Sequence, residues 1–221
     1  MKIRSLMELE DQLDSDLAWR RKEFTTFKFM VNESRNHQKE LLLRSSIALL
    51  YAHWEGHIKF CAQVYILYLK HVSPNYNNMT DNFLQISLGE RFKEGFSIKK
   101  HTSQKDIFDY LKDKDPGSFD VNENTVIDTE SNLKYSVFYN ILNQLGLSSE
   151  PFELKENFID SKMLKLRNAI AHGEKVNSSD LEEAHSELER ELLPIIETFQ
   201  TMIRNAASNK EYLKQPIAAG S

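Results

Sequence analysis

Apolar residues recur at helical spacing along the first 72 residues, and this pattern constrains the fold more than any other feature of the chain. Residues 37–72 are apolar on nearly all sides, as expected for a central helix in a bundle. Helix breakers are also scarce, with 7 glycines and 5 prolines in 221 residues. Over residues 5–35 a single apolar stripe predicts a helix that packs through one face. That stripe consists of Leu6, Leu9, Leu13, Leu17, Phe24, Phe27 and Val31.

Three more core helices are predicted in the second half of the chain. Apolar spacing indicates helices over residues 131–145, 157–172 and 179–206. Gly146 and Gly173 directly follow the first two of these, where a helix often ends in a left-handed residue. Both glycines are therefore predicted to terminate helices.

Capping patterns predict where the first and the last helix begin. Ser5 and Glu8 have capping-box spacing, and Ser179 and Glu182 repeat it. Pro194 lies inside the last predicted helix and is expected to bend or break it, because proline lacks a backbone N–H group.

The segment 73–130 interrupts the helical pattern. It carries turn-forming sequences, including KDKDPGS, and two short predicted helices over 80–94 and 103–112. We interpret it as an irregular insertion. The sequence thus predicts an all-α fold, an antiparallel bundle of four to five long helices. One domain is expected over 1–206, with the insertion at about 73–130, followed by a flexible tail over 207–221.

Charge and composition restrict the function. The net charge of -5 argues against non-specific binding of nucleic acid over the whole surface, so a nucleic-acid site would have to be local or shared between two chains. The single cysteine, Cys61, cannot form an internal disulfide. Neither a signal peptide nor an apolar stretch of about 20 residues is found. We therefore expect a cytoplasmic protein with no membrane partner.

Charged residues on the apolar second helix suggest a specific role. Arg44 and Glu55 are separated by about three turns and share one face. On a buried helix, such residues either form internal ion pairs or line a cleft, and the sequence leaves both open. Arg20, Arg21 and Lys22 are instead predicted to form a solvated turn of the first helix.

His53 and His57, in the sequence HWEGH, have the spacing of two zinc ligands. A zinc-protease helix needs glutamate directly after the first histidine, but Trp54 stands there. Without an obvious third ligand, a core helix is favoured and no metal is predicted. Cys61 is not expected to be a nucleophile, because a thiol in apolar surroundings is hard to ionise.

The sequence LRNAIAHG, residues 166–173, is the strongest candidate for a functional site. It places Arg167, Asn168 and His172 at the end of a predicted helix. Asn168 precedes His172 by four residues and so shares its face. The alanines at 169 and 171 leave room for a second helix to approach. Under the simplest alternative, His172 only caps the helix and Arg167 is a surface residue.

These side chains fit RNA cleavage without a metal. The ribose 2′-oxygen must lose a proton and the leaving 5′-oxygen must gain one, and histidine suits either transfer near neutral pH. The guanidinium of arginine suits the charged phosphoryl oxygens. Since one histidine cannot easily serve as both acid and base, we expect a symmetric dimer to supply two.

The sequence LRNAIAHGE resembles the signature of the HEPN superfamily, in which Arg is followed by four to six residues and then His. Three further stretches are similar to core helices of bacterial HEPN-like nucleases found in toxin–antitoxin and phage-defence loci. The resemblance covers about 5–72 and 131–206, but not the insertion. The three stretches are LLLRSSIALLYAHWEGHIKF, SNLKYSVFYNILNQLGL and IDSKMLKLRNAIAHG.

The resemblance implies a homodimeric, metal-independent RNA endonuclease that acts as a toxin or a phage-defence effector, with no cofactor. Its partners would be RNA and a cognate antitoxin or defence protein. Relatives silenced by a nucleotidyltransferase antitoxin have tyrosine two residues after the histidine, where this chain has a glutamate, which argues against that mode of regulation. The alternative is a non-catalytic HEPN module for dimerisation or for binding a nucleotide or partner. The implied catalytic residues are Arg167, Asn168 and His172. Apart from the resemblance, we interpret Arg44, Glu55 and Glu174 as candidate supporting residues.

Overall fold

A computed structural model describes residues 1–91, 97, 99–112 and 117–215 of the chain. These residues form an all-α bundle, which confirms the predicted fold class; within them there is no β-strand, only isolated bridges. The helices are α1 (Leu6–Glu33), α2 (Asn36–Val72), α3 (Asp81–Arg91), α4 (His101–Lys112), α5 (Tyr135–Leu145), α6 (Lys165–Ala171) and α7 (Ser178–Ser208).

Three long helices form the centre of the bundle. They are α1, α2 and α7, with 28, 37 and 31 residues, and each packs against the other two. Helix α6 packs on α2, and α3 of the predicted insertion packs on α5. Aromatic side chains join these layers, since the rings of Trp54 and Phe138 lie 4.8 Å apart and Phe138 also contacts Phe152 and Phe199.

Several predicted helix ends are confirmed. The Glu8 N–H donates to Ser5 Oγ at 3.1 Å, so Ser5 caps α1. The Glu8 carboxylate accepts from the Arg4 N–H rather than from that of Ser5, and the capping box is therefore incomplete. Gly146 and Gly173 have φ angles of 71° and 72°, the left-handed values that favour glycine at these positions.

The predicted start of α7 is wrong, and of the two outcomes predicted for Pro194, a bend or a break, the break is not formed. Asn177 is the N-cap residue, and the Ser179 hydroxyl donates to Asp180 instead of capping the helix. Helix α7 continues through Pro194. Ile195 and its neighbours Leu192 and Ile196 are buried around the proline, so packing offsets the loss of one backbone hydrogen bond.

The predicted fourth helix is not a regular α-helix throughout. Phe158–Leu164 form a π-helical segment, and the α-helical geometry of α6 begins only at Lys165. The Lys165 N–H bonds to the Asp160 carbonyl, five residues earlier. Such segments commonly mark functional sites, and this one directly precedes the Arg167 motif. The third helix also begins late, at Tyr135.

Other predictions concern segments at the edge of the described residues. Most of KDKDPGS and the last six residues of the predicted tail, from residue 216 onward, lie outside the described residues, whereas 207–215 are described and include the buried Tyr212. No helix in the described part of the chain combines the length and the apolar character needed to cross a membrane.

A buried ionic cluster between α1 and α2 contradicts the prediction that Arg20 is solvated. Arg20 is only 6% exposed, and its Nε donates to Asp16 Oδ2 at 2.7 Å. His57 Nδ1 lies 2.6 Å from the same oxygen, and its Nε2 lies 3.3 Å from Cys61 Sγ. Gly56 makes room for the guanidinium, because a Cβ there would lie 3.3 Å from Arg20 Nη1. We call Asp16, Arg20, His57 and Cys61 the buried ionic cluster.

The buried ionic cluster keeps its histidine neutral and its carboxyl charged. Burial lowers the pKa of His57 despite the hydrogen bond with Asp16. Burial alone would raise the pKa of Asp16, but the hydrogen bonds from His57 and Arg20 and the charge of Arg20 hold it below its usual value. Burial raises the pKa of the Cys61 thiol well above its ordinary value, which agrees with the prediction that Cys61 is not a nucleophile.

Three buried histidines predict a protein that loses stability in mild acid. His53, His57 and His185 all have pKa values below 6.5, mainly because they are buried. Below about pH 6.5 the unfolded chain takes up protons that the folded chain does not, so the free energy of unfolding should fall as the pH decreases. Each histidine contributes up to about 1.4 kcal/mol per pH unit in that range.

Urea unfolding at pH 7.5, 6.5 and 5.5 measures this effect. The variant His57→Gln should show a smaller decrease between pH 6.5 and 5.5, whereas the exposed control His37→Gln should match the wild type. Equal unfolding free energies of the wild type at all three pH values would contradict the prediction.

Candidate functional site on α6 and the adjoining loop

Arg167 is held in a defined position on α6 by three neighbours. Its Nη1 donates to Asn132 Oδ1 at 2.9 Å and to Asn168 Oδ1 at 2.8 Å. The guanidinium carbon lies 4.5 Å from the centre of the Tyr51 ring on α2, a cation–π contact. Because these contacts fix the plane of the guanidinium, its remaining donors have a set direction.

The other nitrogens of Arg167 are available for a ligand. The two bonds to asparagine both use Nη1, and no described residue accepts a hydrogen bond from Nε or Nη2. Adjacent guanidinium nitrogens can donate in parallel to two oxygens of one phosphate. The arrangement around Arg167 therefore suits a phosphate group.

The polar face of α2 lies beside this arginine. Glu55 accepts a hydrogen bond from Thr129 Oγ1 at 2.8 Å, and Tyr51, one turn earlier, accepts one from the Leu133 N–H at 2.6 Å. Burial, reinforced by the nearby charge of Glu55, raises the pKa of Tyr51 to about 12. Tyr51 therefore stays protonated near neutral pH and presents a neutral ring to Arg167.

Arg44 and Glu55, the two charges predicted to share a face, do not pair with each other. The Arg44 Nη1 donates to the backbone carbonyl of Glu174 at 2.9 Å, just beyond the end of α6. Arg44 thus holds that end against α2, while Glu55 binds the loop before α5. The sequence left open whether these two residues form internal ion pairs or line a cleft. Arg44 and Glu55 do not form an ion pair with each other.

A strained loop places Asn132 against Arg167. Glu130 and Ser131 have φ angles of 53° and 56°, which are unfavourable for residues other than glycine. The Leu133 carbonyl accepts from Trp54 Nε1 at 3.2 Å, so α2 holds this loop through both backbone groups of Leu133. Such strain persists only where the surrounding contacts impose it, and it is common at functional sites.

His172 lies apart from Arg167 in a single chain. It is exposed, ends α6, and donates its backbone N–H to the Asn168 carbonyl at 2.9 Å. The described residues make no hydrogen bond or ion pair with its ring. Five residues correspond to about 140° around a helix, so Arg167 faces α2 while His172 faces another direction. The Asn168 side chain forms a hydrogen bond with Arg167. With His172, Asn168 forms only a backbone hydrogen bond.

The lysines near this motif provide less positive charge than their number suggests. Lys162 lies 3.0 Å from Glu183 and 3.7 Å from Glu187 of α7. Lys165 and Lys175 are exposed and border a cavity of about 430 Å³ that also contacts Glu183. Positive charge that could attract RNA is therefore concentrated at Arg167 and these two lysines.

Tyr51, Thr129 and Asn132 are residues of this site that the sequence did not single out. Tyr51 lies on the face shared by Arg44 and Glu55, so the charged stripe on α2 could have indicated it. Thr129 and Asn132 lie in an irregular loop, and no sequence pattern connects them with Arg167.

The family comparison matches nearly the whole bundle. The model of the RiboL-PSP-HEPN family aligns with residues 15–205. The chain belongs to this family. It is therefore a HEPN-type module, and such modules are generally related to ribonucleases. No curated protein and no solved structure matches the chain. In this HEPN module, the site described above contains the Arg167–His172 motif.

Proposed function

We propose that this HEPN module is a metal-independent RNA endonuclease whose active site forms between two copies of the chain. The observation that carries the proposal is the orientation of the Arg167 guanidinium. Tyr51, Asn132 and Asn168 hold the guanidinium in place, and its remaining N–H groups can donate to a phosphate. The exposed ring of His172 supports a shared site, because it can approach a partner molecule without unfolding.

In the proposed reaction, one His172 takes the proton from the ribose 2′-hydroxyl. The 2′-oxygen forms a bond to phosphorus, and the bond from phosphorus to the 5′-oxygen breaks. The second His172 of the dimer gives a proton to that leaving oxygen. Arg167 holds the phosphoryl oxygens as negative charge develops on them. The products are a 2′,3′-cyclic phosphate and a 5′-hydroxyl.

The proposal is tested by incubating the protein with single-stranded RNA in EDTA and analysing the ends of the products. We expect 2′,3′-cyclic phosphate ends, and a rate per chain that rises with protein concentration as dimers form. Intact RNA, or products with 3′-hydroxyl ends, would contradict this mechanism. We further propose a single domain over 1–206, a toxin or defence role in the cytoplasm, and a cognate antitoxin or defence protein as partner.

The second candidate function is a non-catalytic HEPN module for dimerisation or for binding a nucleotide or partner protein. It is favoured by the net charge of -5 and by the pairing of Lys162 with Glu183, which weaken attraction to RNA. A dimeric protein that leaves RNA intact in the same assay would support it.

The substitution Asn132→Ala tests whether the loop positions Arg167. Because Asn132 is exposed and its side chain holds the guanidinium, we expect RNA cleavage to fall by about 10–100-fold, with unfolding free energy lowered by at most about 1 kcal/mol. Cleavage rates and urea unfolding measure the two effects. The control Asn124→Ala changes an exposed amide earlier in the same loop and should leave both unchanged; equal cleavage by the two variants would contradict the positioning role.

A further inference from the structure

A cavity lies outside the Arg167 site, where α3, α5 and the segment before α5 meet. Its volume is about 840 Å³, within the usual range for a small-ligand site. Six of the ten described residues that line it carry side-chain amides, and none is charged. The amide residues are Asn82, Gln85, Asn122, Asn140, Asn143 and Gln144. We call this space the amide cavity.

The amide cavity suits the chemistry of a nucleobase. A side-chain amide carries a hydrogen-bond donor beside an acceptor, which matches the edges of bases, while Ile86 and Val126 offer apolar contact for a base face. Asn82 and Asn143 each donate one hydrogen bond to a backbone carbonyl, and Asn122 Oδ1 accepts one from the Asn124 N–H. Gln144 Oε1 is buried and accepts no hydrogen bond from any described residue, so it can accept one from a ligand.

One segment of the chain joins the wall of the amide cavity to the Arg167 site. Its wall over 122–126 continues into Thr129, which binds Glu55, and then into Asn132, which binds Arg167. The six residue steps from Val126 to Asn132 span at most about 22 Å. A few nucleotides of RNA can therefore reach from one site to the other.

Two tyrosines of α5 lie between the Arg167 site and the amide cavity along the chain. Tyr135 follows Asn132 by three residues, and its ring centre is 6.5 Å from that of Tyr139, which is 45% exposed. Exposed aromatic rings are common stacking surfaces for single-stranded RNA. Asn143, which lines the cavity, lies one turn further along the same helix and bonds to the Tyr139 carbonyl.

We infer that the amide cavity binds one unstacked base of the RNA strand held at Arg167 and thereby selects the sequence that is cut. This inference rests on the proposed nuclease function. Proteins that recognise single-stranded RNA commonly bind unstacked bases through their hydrogen-bonding edges. The continuous loop to Asn132 favours a base of the bound RNA over a free nucleoside.

The test uses a single-stranded RNA pool of random sequence, digested in EDTA and sequenced at the cut ends. The wild type should prefer one base at a fixed position within a few nucleotides of the cut. Gln144→Leu should reduce that preference about tenfold, because it removes the amide that reads the base. It should not destabilise the fold, since it replaces a buried polar group that has no described partner.

A matched pair of exposed glutamines provides the control. Gln85→Ala alters the cavity wall and should weaken the preference, whereas Gln38→Ala, on the first turn of α2, should leave it unchanged. Cleavage without any base preference, or with a preference unaffected by both Gln144→Leu and Gln85→Ala, would overturn the inference while leaving the nuclease intact. The binding of the four free nucleosides to the wild type and to Gln144→Leu is measured as well. If a nucleoside binds only the wild type and cleavage shows no base preference, the cavity binds a free nucleoside and the inference is also wrong.

A binding experiment separates this inference from the proposed function. If the wild type cuts no RNA, the nuclease proposal fails, and the same pool is then captured on the protein and sequenced. A base enriched by the wild type but not by Gln144→Leu would still support the amide cavity as a base-binding site. Equal pools from the two proteins would overturn it.

Discussion

Replacing His172 with alanine is expected to lower RNA cleavage by about 10²–10⁴-fold, the usual contribution of a general acid or base. The expected loss is large because the motif contains one histidine in each chain, and the substitution removes both proton-transfer groups from a symmetric site. His172 is exposed and the described residues make no hydrogen bond to its ring, so the free energy of unfolding should change by less than about 1 kcal/mol. Single-turnover cleavage rates in EDTA, with urea unfolding in parallel, measure both quantities.

The control for this experiment is His37→Ala. His37 is also exposed and also lies near a helix end, but on the first turn of α2. Its replacement should leave cleavage unchanged. If the His172 and His37 variants both cut RNA at the wild-type rate, His172 is only a helix-cap residue and the proposed mechanism at the shared Arg167–His172 site is wrong.

Replacing Arg20 with alanine is expected to lower the free energy of unfolding by about 3–5 kcal/mol, because it leaves a buried carboxylate without its main partner. Asp16 is only 8% exposed, and two nitrogens of Arg20 bond to its oxygens at 2.7 and 3.1 Å. The remaining hydrogen bonds to Asp16, from Trp19 and His57, do not replace the lost positive charge while His57 is neutral. For a chain of this size, the melting temperature should fall by roughly 6–20 °C.

The neighbouring residue Arg21 provides a matched control. It forms an ion pair with Glu197 at 2.7 Å, but the two side chains are 53% and 36% exposed. Arg21→Ala should therefore cost less than about 1 kcal/mol. Calorimetry on both variants compares the free energy of unfolding that each substitution removes. Equal decreases in the two variants would contradict a stabilising role for burial of the ionic cluster.

These two arginines illustrate a limit of sequence reasoning about charge. Arg20 and Arg21 are adjacent in a basic run, and the sequence predicted that both would be solvated. In the folded chain they point to different sides of α1, and only Arg20 meets the space that Gly56 leaves on α2. Helical periodicity indicates which residues share a face of a helix. How deeply that face is buried depends on how the next helix packs against it.

For the Arg167 motif, too, the sequence and the tertiary structure supply different information. Its short sequence predicts Arg167, Asn168 and His172 as one group, and within one chain a side-chain hydrogen bond joins only Arg167 and Asn168. The other contacts that orient Arg167 come from Tyr51 on α2 and Asn132 in the strained loop, and neither belongs to the motif. The motif therefore indicates where the site is, and distant residues determine how the arginine is presented.

The sequence by itself determined the approximate positions of the long helices, the glycines that end two of them, the all-α class and the position of the Arg167–His172 motif. These features depend on local periodicity and on residues a few positions apart, which a linear pattern records directly. The tertiary structure decided which charges are buried, which loop meets Arg167, and where the amide cavity lies. Those outcomes depend on how separate helices pack against one another, and that packing brings together residues that have no regular spacing along the chain.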